Sequence, residues 1–421
     1  MREALGPPPG EGVNLGAYPD AMRRNRNQMI DRTPVRRRAG LAALYCALCL
    51  CLSAALVAAL QPRPAEAVDT EAQQFILMDA GTGMVLAEKN ADEPMYPASM
   101  SKIMTLYVVF EHLADGQLDL EDIFTVSKKA WRMKGSRMFL EVNSKVTVSE
   151  LLRGVIVQSG NDASIVLAEG LAGSEDGFAD LMNETAVELG LADSYFTNAT
   201  GWPDPDHITT ARDVAELSRR IIVDFPEYYP MFAEKSYTYN GIKQGNRNPL
   251  LYRYDGADGL KTGYTQASGH GLAASAKRGE QRLVMVVNGI KGVDARAREA
   301  ERLLSYGFRA FRTYVLFRAG QVVDTFDVWL GEADALPLVA ESDIVLMMPR
   351  KSRKSMEVKI VADGPIAAPV EKGTRVATLV VSAPDVETHE WPLLAGASVD
   401  SLSGFGRIGA AIDALIWGKG G

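Results

Sequence analysis

Pro97-Ala98-Ser99-Met100-Ser101-Lys102 stands immediately ahead of a run in which Ile103, Leu106, Tyr107, Phe110 and Leu113 recur at helical spacing, closed by Gly116. Ser99 and Lys102 are three residues apart, so on a helix they share a face. A serine hydroxyl is a poor nucleophile until a neighbour takes its proton. A lysine amine does so only when its pKa is lowered, and burial and a second ammonium both lower it. Alone, Ser-x-x-Lys is a weak signal, because most such pairs are two solvated residues on a helix.

Two further motifs follow in order: Gln158-Ser159-Gly160-Asn161-Asp162, with Ser-x-Asn in a polar break between helices, and Gly259-Leu260-Lys261-Thr262-Gly263-Tyr264, with Lys-Thr-Gly just ahead of a strand. Lys261 is the candidate second ammonium. Ser159 and Asn161 are placed to bridge the two lysines and to hold a substrate amide. Backbone N–H groups of Ser99, at the helix start, and of Tyr264 would form an oxyanion hole. Ser99, Lys102, Ser159 and Asn161 are thus the candidate catalytic residues. Lys261, Thr262, Gly263 and Tyr264 are the candidate substrate-binding segment.

Outward from these motifs, Phe75 to Asp79 and Met84 to Ala87 read as a β-hairpin. Val148 to Ile156, Ala163 to Leu171, Phe178 to Leu189, Thr210 to Ile222 and Arg296 to Phe308 read as helices. Gly271 to Ala276 and Arg282 to Asn288 read as strands. Strands at both ends and helices between them predict one α+β domain over 68–312. Gln321–Trp329, Ile344–Met348, Met356–Val361 and Val376–Val381 predict a small all-β sandwich over 313–398, with a spacing or positioning role. In 399–421, Phe405, Ile408, Ile412, Leu415 and Ile416 fall on one helical face, which reads as an amphipathic membrane anchor or a helix docked on the β-domain.

Residues 1–67 read as a leader and signal peptide: Arg36 to Arg38, the apolar stretch Leu41 to Leu60, and a cut after Ala67. The apolar stretch is also long enough to span a bilayer uncleaved. All three cysteines, Cys46, Cys49 and Cys51, lie inside it, so the mature chain would carry no disulfide and no thiol nucleophile. Residues 1–67 hold nine arginines and five acids, so their removal leaves 36 basic against 48 acidic side chains, a net charge of −12. That balance argues against nucleic acid as a partner. With four histidines and no zinc-type spacing, no metal site is expected. His112 sits on the back of a helix, His389 in the β-domain and His207 in a structural turn, whereas His270 lies near the Lys-Thr-Gly strand, where lining the cleft is the lesser of two readings beside a structural one. Gly404-x-Gly406-x-x-Gly409 matches a dinucleotide fingerprint only superficially, since no strand precedes it. No cofactor is expected.

The three motifs, in this order, resemble those of the low-molecular-mass penicillin-binding proteins, specifically the D-alanyl-D-alanine carboxypeptidases of the penicillin-binding protein 5 type, serine peptidase family S11. So do Phe196-Thr-Asn-Ala-Thr-Gly201, Asp206-His207-Ile-Thr-Thr-Ala-Arg-Asp213 and Glu301-Arg-Leu-Leu-Ser-Tyr-Gly-Phe308, and the likeness runs over residues 70 to 417. The resemblance implies a β-lactamase/transpeptidase-like fold and a Ser99 acyl-enzyme that releases the terminal D-alanine of peptidoglycan stem peptides. It also implies acylation by β-lactam antibiotics and a periplasmic protein attached to the inner-membrane surface by its C-terminal helix. An arginine beyond the Lys-Thr-Gly strand would orient the substrate carboxylate together with Lys261 and Thr262. Counting back from Gly307-Phe308 places it at Arg296, with Arg298 as the fallback. Lys129 to Leu140 would form an Ω-like loop shorter than in familiar members, and Tyr264 stands where some relatives carry histidine. A class A β-lactamase would need a Glu-x-x-Leu-Asn segment between Asn161 and Lys261, and there is none. A D,D-endopeptidase acting on cross-links and a non-catalytic scaffold that kept the fold are the remaining readings.

Overall fold

A computed structural model describes residues 68–403 apart from 363 and 385. The expected leader and the C-terminal stretch from 404 onward lie outside the described residues. In the first domain, β1 (Gln74–Asp79) and β2 (Val85–Lys89) form the expected hairpin. A single 3-10 turn, Ala98–Ser101, leads into helix α1 (Lys102–Ala114). Strands β3 (Ile123–Thr125) and β4 (Lys145–Thr147) pair on either side of helix α2 (Lys128–Arg132). Helices α3 (Val148–Gln158), α4 (Asn161–Ala172), α5 (Glu175–Glu188) and α6 (Ala211–Asp224) follow. A ribbon of β5 (Ser236–Tyr239) and β6 (Ile242–Gly245) and the single turn α7 (Leu250–Arg253) lead back to β7 (Ala257–Thr265), β8 (Gly269–Arg278) and β9 (Gln281–Ile290). Helix α8 (Val293–Ala310) ends the domain.

The strands form one antiparallel sheet in the order β2-β1-β9-β8-β7, so the N-terminal hairpin docks on strands that lie two hundred residues later in the chain. Both faces are buried, which is why β1 and β9 read as continuous apolar runs rather than alternating ones. Phe75, Leu77, Met285 and Val287 pack with Leu303, Leu304 and Phe308 of α8. Ile76, Met78, Val284 and Val286 face the helical layer and α1. Every residue of α1 from Lys102 to Phe110 is buried, as befits a helix surrounded by others. Phe110 stacks on Tyr228 (5.3 Å between ring centroids) and meets Phe225 and Phe232 edge-on or tilted.

Two local expectations are refined. The polar break is only Ser159-Gly160: Ser159 ends α3 in the left-handed region (φ 59°), and Asn161 is the first residue of α4. Lys261 is not ahead of a strand but inside one, since β7 runs through Lys-Thr-Gly. The glycines at 259 and 263 hide that strand from a propensity reading. They are there because a Cβ at 259 would stand 2.6 Å from Tyr229 Oη and one at 263 would stand 2.7 Å from the Pro97 carbonyl oxygen.

The second domain is all-β. A β10–β13 pair (Phe311–Phe317, Ile344–Pro349) shares one core with a six-stranded sheet. That sheet runs β14 (Glu357–Val361), β16 (Arg375–Ala383), β17 (Val386–Ala395), β12 (Ala335–Ala340), β11 (Val322–Trp329), β15 (Ile366–Ala367). Sequence reading missed β12 and β17, which carry Pro337 and Pro392 inside them. It also missed β10, which follows α8 with no residue between, Ala310 ending the helix and Phe311 opening the strand. The domains share apolar contacts. Phe311 and Met347 join the α8 cluster, and Met84 packs against that cluster and against the β-domain core. Arg350 N–H donates to the Ala310 carbonyl at 2.9 Å. Among the described residues, no helix is long and apolar enough to cross a membrane.

Phe110 is fully buried in an aromatic cluster, so Phe110→Ala should lower the unfolding free energy by about 3–5 kcal/mol. Denaturant melts of the two proteins check this, and a loss below about 1 kcal/mol would mean that the cluster is not a keystone of the helical layer.

Candidate active site

From Pro97 to Phe110 the chain is buried at every residue except Ser99. The 3-10 turn produces this exposure. Residues i and i+3 eclipse in such a turn, which brings Ser99 over Lys102 more directly than the expected α-helix would. Ala98, the residue before the nucleophile, has φ 49°, a left-handed conformation that costs a non-glycine residue about 1–2 kcal/mol. It is held from two sides. Gly263 of β7 lies against Pro97. Gly201, at φ 70°, lies so close that a Cβ there would clash with the Ala98 carbonyl. Ser101 Oγ donates to that same carbonyl (2.8 Å) and lies 2.7 Å from His207 Nε2. His207 Nδ1 accepts from the Thr197 N–H (3.2 Å), so its proton is on Nε2 and points at Ser101. Burial, aided by the nearby Lys102 charge, pushes the His207 pKa down to about 4. The ring is therefore a neutral strut, the structural role expected for it.

Lys102 is fully buried. Its Nζ donates to Asn161 Oδ1 (2.7 Å), to Ser99 Oγ (3.1 Å) and to the Thr200 carbonyl. Burial, and secondarily the charge of Arg247, bring its pKa down to about 7, against the opposing pull of Asp162 and Glu175. Once neutral, the amine keeps two N–H donors and gains one lone pair. Asn161 and Thr200 satisfy the donors, and the lone pair is left facing the Ser99 hydroxyl. That is the arrangement a general base requires.

Lys261, also buried, donates to Ser159 Oγ (2.9 Å) and to the Thr262 carbonyl (3.1 Å). Burial first, then Lys102, Arg247 and Arg296, hold its pKa well below the usual lysine value. The expected two-lysine site is thus assembled, with Ser159 bonded to one amine and Asn161 to the other. Asn161 is itself fixed, its Nδ2 donating to the Lys134 carbonyl (2.8 Å).

Arg296 is buried in the first turns of α8, with Nη1 donating to the Gly271 carbonyl (3.3 Å) and Nε without a partner. Burial lowers its pKa to about 10. Arg298 points to solvent. Of the two, only Arg296 faces the Lys-Thr-Gly strand. Thr262 is buried in that strand, whereas Tyr264 is exposed and stacks on His270 at 4.3 Å.

Three contributors were given no role by the sequence reading. The buried carboxylate of Asp162, next to Asn161, accepts the backbone N–H groups of Met138, Phe139 and Leu140 (2.8–3.1 Å) and so ties the expected Ω-like segment to the Ser-x-Asn turn. The first residues of that segment are helix α2, not loop. Arg247, in an unpatterned Gly-Asn-Arg-Asn-Pro stretch, reaches Ser136 Oγ (2.6 Å) and faces both lysines. Thr200 acts through its backbone carbonyl, which no side-chain pattern reveals.

Comparison with known proteins gives the family. A family model described as D-alanyl-D-alanine carboxypeptidase matches residues 60–292, and one for the penicillin-binding protein 5 C-terminal domain matches 311–401. The chain belongs to the D-alanyl-D-alanine carboxypeptidase family. It is 40% identical over 351 residues to the D-alanyl-D-alanine carboxypeptidase DacC of Escherichia coli, covering 82% of this chain and 88% of that one. Crystal structures of penicillin-binding protein 5 from Haemophilus influenzae match with a TM-score of 0.73 at 35% identity, over 79% of this chain and 99% of that one. Penicillin-binding protein D2 from Listeria monocytogenes, in its ampicillin-bound form, matches 57% of this chain and 98% of its own with a TM-score of 0.53 at 28% identity. Family members are serine peptidases, and the fold is the expected transpeptidase-like domain with an all-β domain after it.

Because Lys102 accepts the Ser99 proton only when neutral, acylation by a β-lactam should rise with pH through about 7. Arg247→Gln removes a charge that favours the neutral amine, so the rising limb should move to higher pH. Acylation rates measured across pH would exclude the coupling if the limb stayed in place.

Proposed function

We propose that this protein is a serine D-alanyl-D-alanine carboxypeptidase that removes the terminal D-alanine of peptidoglycan stem peptides through a Ser99 acyl-enzyme, and that β-lactams acylate the same serine. The observation that carries this reading is Ser99, the one residue from Pro97 to Phe110 that reaches solvent, held 3.1 Å from a buried lysine whose pKa lies at about 7.

Ser99 Oγ attacks the carbonyl between the two D-alanines as its proton passes to Lys102 Nζ. The oxyanion forms against the N–H groups of Ser99 and Tyr264. The C–N bond then breaks, and the departing D-alanine amine receives the proton that Lys102 took from Ser99, with the Ser159 hydroxyl beside Lys261 placed to relay it and Asn161 holding Lys102 in position. Water attacks the ester and gives a proton to Lys102, the C–O bond to Ser99 breaks, and Lys102 returns that proton to the Ser99 oxygen as the shortened peptide leaves. Lys261, Thr262 and Arg296 supply positive charge and hydrogen bonds for the terminal carboxylate, and Gly263 lets that strand lie against the nucleophile turn. A β-lactam follows the first step, but its amine stays tethered in the opened ring.

The turn at 198–202 offers Lys102 a backbone carbonyl, that of Thr200, and not a carboxylate. This supports a carboxypeptidase over a β-lactamase, which needs a strong base to turn its acyl-enzyme over. The leader at 1–67 and the amphipathic stretch within 399–421 support a periplasmic protein held at the inner-membrane surface.

Intact-mass spectrometry with and without benzylpenicillin tests the reading. The wild-type protein should gain one drug mass, and Ser99→Ala should gain none. A folded wild-type protein that gained nothing would overturn it.

A further inference from the structure

Helix α5 opens on Glu175, a buried carboxylate that the acylation steps do not use. Its Oε2 meets the Lys129 ammonium of α2 at 2.8 Å, and its Oε1 accepts the backbone N–H of Ala199 at 3.3 Å. Lys129 is half exposed, so this one side chain joins a surface cation to an interior turn.

The two contacts fall on the two segments that hold the general base. Past Lys129, the chain reaches Lys134 and Ser136. Their carbonyls accept the Asn161 Nδ2 and backbone N–H groups, both at 2.8 Å, and Asn161 Oδ1 receives Lys102 Nζ. Past Ala199 comes Thr200, whose carbonyl also receives Lys102. Thr105 of α1 donates to the Ala199 carbonyl (2.7 Å), and Asn198 Oδ1 accepts the Thr200 N–H (3.1 Å). Glu175 takes the Ala199 N–H and so completes the hold on that turn.

Charge acts along the same line. Of the groups around Lys102, Arg247 opposes its ammonium form, Asp162 and Glu175 favour it, Lys261 shares the seam, and the His207 ring is neutral. Asp162 spends its oxygens on backbone amides. Glu175 instead faces a cation at the surface, and that cation offsets part of its field at Lys102.

We propose that Glu175 is a positioning residue for acylation: it straps together the two segments that carry the acceptors of Lys102, and Lys129 sets how much of its negative charge the catalytic amine feels. The inference rests on the Ser99 acyl-enzyme reading.

Second-order acylation by benzylpenicillin, measured across pH, tests it. Glu175→Gln keeps an oxygen for the Ala199 N–H and removes the charge. The Lys102 ammonium then loses a favourable neighbour, the neutral amine forms at lower pH, and the rising limb should move down by about half a unit. Lys129→Met leaves the carboxylate without its cation, so the limb should move up, by roughly 0.2–0.3 unit for an exposed lysine. The double variant removes both charges and should bring the limb back between the two. Glu175→Ala also frees the Ala199 N–H. Its rate above the limb should fall below that of Glu175→Gln, on the order of tenfold. A merely structural pair would lower the rate by one factor at every pH. That result would overturn the proposal, as would limbs that move the same way in both single variants, or equal rates above the limb for the Ala and Gln variants. A wild-type protein that is never acylated would instead sink the Ser99 reading.

Discussion

Two lysine amines share one buried seam, and the rest of the domain is arranged around their desolvation. Neither has a carboxylate partner within hydrogen-bond reach. Lys102 is ringed by Ser99, Asn161 and the Thr200 carbonyl, and Lys261 by Ser159 and the Thr262 carbonyl. Neutral acceptors make weaker partners for an ammonium than a carboxylate does, so the charged form is disfavoured. The nearest acids are engaged elsewhere: Asp162 with four backbone amides, Glu175 with Lys129. A site that placed either acid against Lys102 would hold a permanent cation and have no base.

The surrounding packing follows from keeping water out of that seam while leaving one hydroxyl in it. The helical layer buries α1 on all sides, and the sheet closes over it through β7. Glycines at 201 and 263 allow the Thr200 turn and the Lys-Thr-Gly strand to approach the nucleophile turn from opposite sides. The strained backbone at Ala98 is the local cost of tilting Ser99 outward, and the fixed Ser101–His207 contact prevents it from relaxing.

Much of this was legible because the relevant signals are periodic or side-chain based. The apolar spacing of Ile103 to Leu113, the helix openings read at Val148 and Thr210 and the doubly buried runs at Phe75 and Leu283 locate α1, α3, α6, β1 and β9 within a few residues. The three motifs locate both lysines and their bridging residues. What stayed hidden acts through backbone or through tertiary neighbours. Thr200 contributes a carbonyl, Arg247 comes from a stretch with no local pattern, and β7 carries glycines that a strand would ordinarily avoid. The proline-bearing strands β12 and β17 were obscured for a related reason, since only the assembled sheet shows that their partners tolerate a missing N–H donor.

The junction between the domains has a mechanical meaning. Helix α8 passes into β10 without a linker, and Met84, Phe311 and Met347 weld the two cores together. The β-domain is therefore joined to the catalytic domain by packed side chains and a continuous backbone, with no intervening loop. The height of the Ser99 cleft above residue 403 is set by the length of folded β-strands and not by the statistics of a tether. A load applied at residue 403 would reach the cleft through packed strands. Lengthening or shortening those strands would move residue 403 relative to Ser99 while leaving the side chains of the cleft in place.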